Sequence, residues 1–134
     1  MLAFAGGRGN SFGMKPTILY VDDDVVMLEM VAFYFRDQGY TVATASSGAQ
    51  AMKAADAEQF DLAVFDINLE GENGLQLLSY FKANHPTVPV IMFTGLEEEE
   101  LMDEALARGA SGFMCKKAPL QDLCEAVRSY LPNS

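Results

Sequence analysis

The chain has 134 residues, half of them hydrophobic and 21% charged, which is the length and make-up of one globular domain rather than of a disordered segment. Nine Lys and Arg against nineteen Asp and Glu give a formal charge of -10, a surface that repels nucleic acid and argues against a DNA-binding module. Cys115 and Cys124 are too few for a disulfide framework or a zinc site, and no apolar run approaches the ~18 residues of a membrane span, so composition points to a cytoplasmic protein with no membrane partner.

Residues 1–13 carry four glycines, no periodicity and one charge, Arg8, and read as a flexible leader or tag before a domain spanning 14–134. Ile18-Leu19-Tyr20-Val21 is a short continuous apolar run, the mark of a strand buried on both faces, and Asp22-Asp23-Asp24 ends it. Val25, Met27, Leu28, Val31, Ala32 and Phe35 then follow helical spacing up to Gly39. Tyr40 to Thr44 is β-rich, and Ser46 or Ser47 can cap a helix carrying Ala49, Met52 and Ala55. Leu62 to Phe65 is a second buried-type strand, ended by Asp66 and a turn-rich segment from Glu70 to Gly74. Asn73-Gly74 opens a helix with Leu75, Leu77, Leu78 and Phe81. Val88 to Phe93 forms a strand closed by Thr94-Gly95, and a helix with an acidic first turn, Glu97 to Glu100, runs to Arg108-Gly109. Gly112 to Cys115 is a last strand ended by Lys116, with Cys115 expected to be buried. Pro119 to Leu131 is an amphipathic helix with Leu120, Leu123, Cys124, Val127 and Leu131 on one face. Five strand-then-helix units predict a three-layer α/β domain, with a parallel sheet covered on both sides.

In such a sheet ligands bind beyond the carboxyl ends of the strands. Those ends carry Asp22-Asp23-Asp24, Asp66, Thr94 and Lys116. Packed carboxylates repel one another, and a divalent metal with oxygen ligands relieves this, Mg²⁺ suiting a few carboxylates plus phosphate oxygens. A strand-end carboxylate beside such a metal is a candidate nucleophile towards phosphorus, with an ammonium and a hydroxyl to hold the incoming oxygens. Each piece has a plainer reading: an Asp cluster after a strand can simply cap a helix, and Thr94 and Lys116 can be ordinary loop residues. Their joint occurrence at four strand ends favours phosphoryl capture by Asp66.

At these residues the sequence resembles the response-regulator receiver domain of two-component signalling, over about Lys15 to Leu131. ILYVDDD resembles the first-strand acidic motif, which implies Asp22 and Asp23 as Mg²⁺ ligands. DLAVFDINLEGENGL resembles the phosphoacceptor motif, implying Asp66 as acceptor and metal ligand and the Asn68 main-chain carbonyl as a further ligand. IMFTG implies Thr94 as the switch hydroxyl, and GASGFMCKK implies Lys116 as the phosphate-binding residue with Phe113 at the aromatic switch position. The resemblance further implies the flavodoxin-like strand order 2-1-3-4-5 with five helices. It implies phosphate donation by a histidine kinase or phosphotransfer protein, and output through the α4-β5-α5 surface to a partner or fused output domain. It also implies a monomer or a phosphorylation-dependent dimer, with no turnover of an outside substrate. Two positions depart from the pattern: Glu70 stands where the family commonly has proline, and Lys117 follows Lys116 where many members have a cis proline. A cis bond before a non-proline residue costs ~2.5–4 kcal/mol, so either a trans bond at Lys117 or a conspicuous compensation is expected. Two other readings stay open. One is a degenerate receiver that serves only as an interaction module. The other is a phosphatase of the haloacid-dehalogenase type, which needs a general-acid Asp where this chain has Asn68. Beyond the site, His85 reads as a surface turn residue and the eight methionines as core filler.

Overall fold

The apolar runs become strands covered on both faces because helices flank them on both sides. The computed structural model describes residues 15–69, 71–95 and 98–131. In chain order these form β1 (Thr17–Val21), α1 (Val25–Asp37), β2 (Thr41–Ala45), α2 (Gly48–Ala57), β3 (Leu62–Phe65), α3 (Gly74–Asn84), β4 (Val90–Thr94), α4 (Glu99–Ala107), β5 (Gly112–Cys115) and α5 (Leu120–Tyr130). The five strands pair in parallel in the order β2-β1-β3-β4-β5, so the strand order and layer count expected from the sequence are those observed.

Alternation along each strand divides the core in two. Leu19, Val21, Ala63, Phe65, Val90 and Met92 pack with α2, α3 and α4. Ile18, Tyr20, Leu62, Val64, Ile91 and Phe93 pack with α1 and α5. No helix among the described residues is long and apolar enough to cross a membrane.

Local signals set the helix ends. Asp24 caps α1 by accepting from the backbone N–H of Val26 and Met27, Ser47 caps α2 through Gln50, and Asn73 caps α3 through Leu75. Gly39 follows α1 at φ +99°, the left-handed conformation that favours glycine. α4 begins at Glu99 with Glu98 before it, Glu97 lying outside the described residues.

Several expectations need correction. The turn-rich segment after Asp66 contains a small antiparallel ribbon, Asn68–Leu69 against Glu72–Asn73, with Gly71 at its tip. Val25, the first residue of α1, is exposed. On α2 the buried positions are Gly48, Ala51 and Ala55, with Met52 half-buried against the core, while Ala49 is exposed; a face made mostly of small residues leaves the phase of the helix poorly marked. β4 starts at Val90 rather than Val88. Cys115 is half-exposed, not buried, because β5 is an edge strand. Among the described methionines Met92 is fully buried and Met27, Met52 and Met114 pack half-buried against the core, as core filler should, whereas Met30 is exposed. His85 caps the end of α3, with its ring against Phe81 and its Nε2 buried 3.9 Å from Asp56 Oδ1, which is more enclosed than a surface turn residue.

Candidate functional site

Parallel pairing brings the ends of β1, β3, β4 and β5 to one edge, and the chemistry collects there. Asp22 and Thr94 are fully buried, Asp66 nearly so, and Asp23 and Lys116 are half-buried. The Lys116 ammonium reaches Asp22 Oδ2 at 2.7 Å and Asp66 Oδ2 at 3.0 Å. The Asn68 N–H donates to the other Asp66 oxygen at 3.2 Å, and the Asp24 N–H donates to Asp22 Oδ1 at 3.0 Å. The Lys116 N–H donates to the Thr94 carbonyl at 2.7 Å, which fixes the ends of β4 and β5 side by side. The Asp cluster therefore divides its work: Asp24 caps α1 while Asp22 and Asp23 face the pocket. Phe113 stands on β5, half-buried against the α2-α3-α4 side of the core. It lines a cavity of about 280 Å³ with Glu98, Glu99, Met102 and Cys115. No cis peptide occurs among the described residues, so Lys117 follows Lys116 through a trans bond; Glu70 lies outside them.

Carboxylate oxygens of Asp22, Asp23 and Asp66 lie within 4.8 Å of one another. Hard oxygen donors at this spacing, only partly neutralised by Lys116, match what a small divalent cation requires.

Burial raises the Asp66 carboxyl above its ordinary range, with Asp22 adding to the shift, while Lys116 and the Asn68 N–H work the other way. Burial acts to discharge Lys116, but its bonds to Asp22 and Asp66 outweigh it and hold the ammonium above its usual value. Tyr20 is pushed far up by burial and by its bond to Asp22, so its hydroxyl keeps its proton. A consequence for stability follows. Asp66 binds its proton more tightly in the folded than in the unfolded chain, where the value is 3.8. Its contribution is complete below that value and is lost as pH rises through the higher folded one. Asp66→Asn lacks this titration, so without metal its stability gap over the wild type is expected to widen with pH. Urea midpoints in EDTA between about pH 4 and pH 8 measure this, and a gap independent of pH contradicts it.

Three residues of this region escape a sequence reading. Tyr20 donates its hydroxyl to Asp22 Oδ2 at 2.7 Å; its place two residues before Asp22, on the same side of a strand, was the available signal. Glu72 accepts from the Gly48 N–H at 2.6 Å and ties the ribbon to the start of α2. Gly74 lies against the backbone of Asp66 and Ile67, a non-local approach that its Asn-Gly setting does not reveal.

The family model for the response regulator receiver domain matches residues 18–128. Among solved structures, a CheY-like response regulator receiver domain protein from Methanospirillum hungatei JF-1 superposes with a TM-score of 0.82 at 31% identity, over 85% of this chain and 91% of that one. Chemotaxis protein CheY4 of Vibrio cholerae gives 0.82 at 27% identity, over 87% and 98%. The transcriptional regulatory protein ZraR of Escherichia coli K12 is 34% identical over 117 residues, 87% of this chain and 26% of ZraR. The probable transcriptional regulatory protein TcrX of Mycobacterium tuberculosis is 29% identical over 119 residues, 89% of this chain and 51% of TcrX. This chain thus spans about half of TcrX and about a quarter of ZraR. The matched region takes in every residue of the carboxyl-edge pocket, and the chain belongs to the response regulator receiver domain family.

Proposed function

We propose that this chain is a Mg²⁺-dependent phosphoacceptor that takes a phosphoryl group on Asp66 and passes the signal to a partner. The observation that carries the reading is the convergence of Asp22, Asp23, Asp66 and Lys116 on one pocket. Asp22, Asp23, Asp66 and the Asn68 carbonyl would hold the metal, which when bound neutralises carboxylate and phosphoryl charge. A carboxylate oxygen of Asp66 attacks phosphorus in line. The bond to the donor's histidine nitrogen breaks, and its electron pair stays with that nitrogen. Lys116, already 3.0 Å from Asp66, holds one of the transferred oxygens, and the Thr94 hydroxyl takes another.

The donor is a histidine kinase or a phosphotransfer protein. Thr94 drawn towards the phosphoryl group makes room for Phe113, which shifts the α4-β5-α5 surface between two populations. ZraR and TcrX are named as transcriptional regulatory proteins and extend well beyond the matched stretch, which favours output through an attached domain or a separate partner; the domain itself is a monomer or a phosphorylation-dependent dimer. Asn68, lying where a phosphatase of the haloacid-dehalogenase type needs a general acid, is an amide with no acidic proton for a leaving group, which argues against turnover of an outside substrate. The reading places the domain in the cytoplasm, with no nucleic-acid or membrane contact of its own.

Intact-protein mass after incubation with acetyl phosphate tests the proposal. One phosphoryl adduct is expected with Mg²⁺, and none in EDTA or in Asp66→Asn. An adduct that persists in Asp66→Asn refutes the assignment. Absence of both adduct and Mg²⁺ binding favours a module that only binds partners.

A further inference from the structure

We propose that Tyr20 is a positioning residue for the metal site: its hydroxyl, with Lys116, fixes which oxygen of Asp22 faces a divalent cation. The proposal rests on reading Asp22 as a metal ligand. Asp22 Oδ2 accepts from the Tyr20 hydroxyl at 2.7 Å and from the Lys116 ammonium at 2.7 Å, which occupies both lone pairs of that oxygen. Oδ1 accepts the Asp24 N–H at 3.0 Å and retains a lone pair. The carboxylate is therefore held in one plane, and Oδ1 is the oxygen left with a lone pair for a cation.

Tyr20 is itself hard to move. It is wholly buried in β1, with the Phe35 ring edge-on at 6.5 Å, and Phe35 is packed in the same way by Tyr40 at 6.3 Å. Phenylalanine would fill the same space without a buried hydroxyl that needs an acceptor, so the oxygen serves Asp22 rather than the core. Mg²⁺ demands near-ideal octahedral geometry at about 2.0–2.1 Å, whereas Ca²⁺ accepts flexible coordination at longer distances. An Asp22 free to turn therefore penalises Mg²⁺ more than Ca²⁺, and Tyr20 acts as a determinant of metal preference.

The test is calorimetric titration of Mg²⁺ and of Ca²⁺ into the unphosphorylated full chain, for the wild type and Tyr20→Phe. Loss of a hydrogen-bond partner behind a ligand typically weakens metal binding by about tenfold or more, so the Mg²⁺ dissociation constant should rise about tenfold. The Ca²⁺ constant should change less, so that the preference for Mg²⁺ falls. Phe35→Leu is the control, disturbing the ring packing while leaving the hydroxyl in place, and it should lower stability with the preference kept. Equal weakening of both metals in Tyr20→Phe, unchanged Mg²⁺ affinity, or the same loss of preference in Phe35→Leu overturns the proposal. A wild type that binds neither metal removes the metal reading itself, and the role of Tyr20 with it.

Discussion

Alanine at Gly74 is expected to destabilise the protein by about 3 kcal/mol or more, the upper part of the range for overpacking. A Cβ there would press into the Asp66 carbonyl oxygen and lie 2.6 Å from Ile67 Cα and 2.8 Å from the Ile67 carbonyl oxygen. All three neighbours are backbone, so no side chain can swing aside. The Gly74 N–H donates to that same Ile67 carbonyl at 2.7 Å, so relief by separation breaks a hydrogen bond as well. The segment that must move carries Asp66, and phosphoryl uptake should slow in proportion. Urea unfolding measures the first effect, with Gly95→Ala as reference, since nothing lies within 4 Å of a Cβ at that position. A Gly74→Ala midpoint equal to the reference contradicts the argument.

Lys116→Ala should cost about 3 kcal/mol in EDTA, the lower end of the range for breaking a buried ion pair, because the ammonium keeps partial contact with solvent. Its removal leaves the Asp22 and Asp66 carboxylates facing each other in a space that excludes most water. A divalent cation relieves the same repulsion, so Mg²⁺ should raise the melting temperature of the variant more than that of the wild type. Affinity for the metal and competence in phosphoryl transfer then part company. The variant still binds Mg²⁺, because removing a competing positive charge from the carboxylates offsets the loss of one of the two bonds that hold Asp22 Oδ2, yet it accepts phosphate slowly because a transferred oxygen has lost its ammonium. Thermal melts with and without Mg²⁺ decide the matter, and equal metal-induced shifts count against it.

The layered fold was legible because the central strands are apolar throughout, and such runs belong to sheets covered on both faces. Asp66 stood out for the same reason, as a charge directly after Leu62 to Phe65. What stayed hidden depends on position across the sheet or on contacts distant in sequence. Gly112 to Cys115 reads like a central strand, but β5 is at the edge and its side chains are only half covered. Gly74 and Glu72 act through close approaches between segments that the linear pattern does not bring together. Tyr20 was visible as an apolar strand residue, and only the distance to Asp22 shows its polar end at work.

Because all five strands run the same way, the sheet has one chemical edge and one quiet edge. The connections that enter β2, β3, β4 and β5, around Gly39, Gln59, Pro86 and Gly109, all lie on the quiet edge, and none carries a residue of the pocket. Exposed turns away from a site are where a chain tolerates being cut and rejoined. A circular permutant opened at Pro86 or Gly109 would reorder the sequence while keeping Asp22, Asp66, Thr94 and Lys116 at the same strand ends. The site is thus a property of how strand ends are arranged in space, and the order in which the chain visits them is free to change.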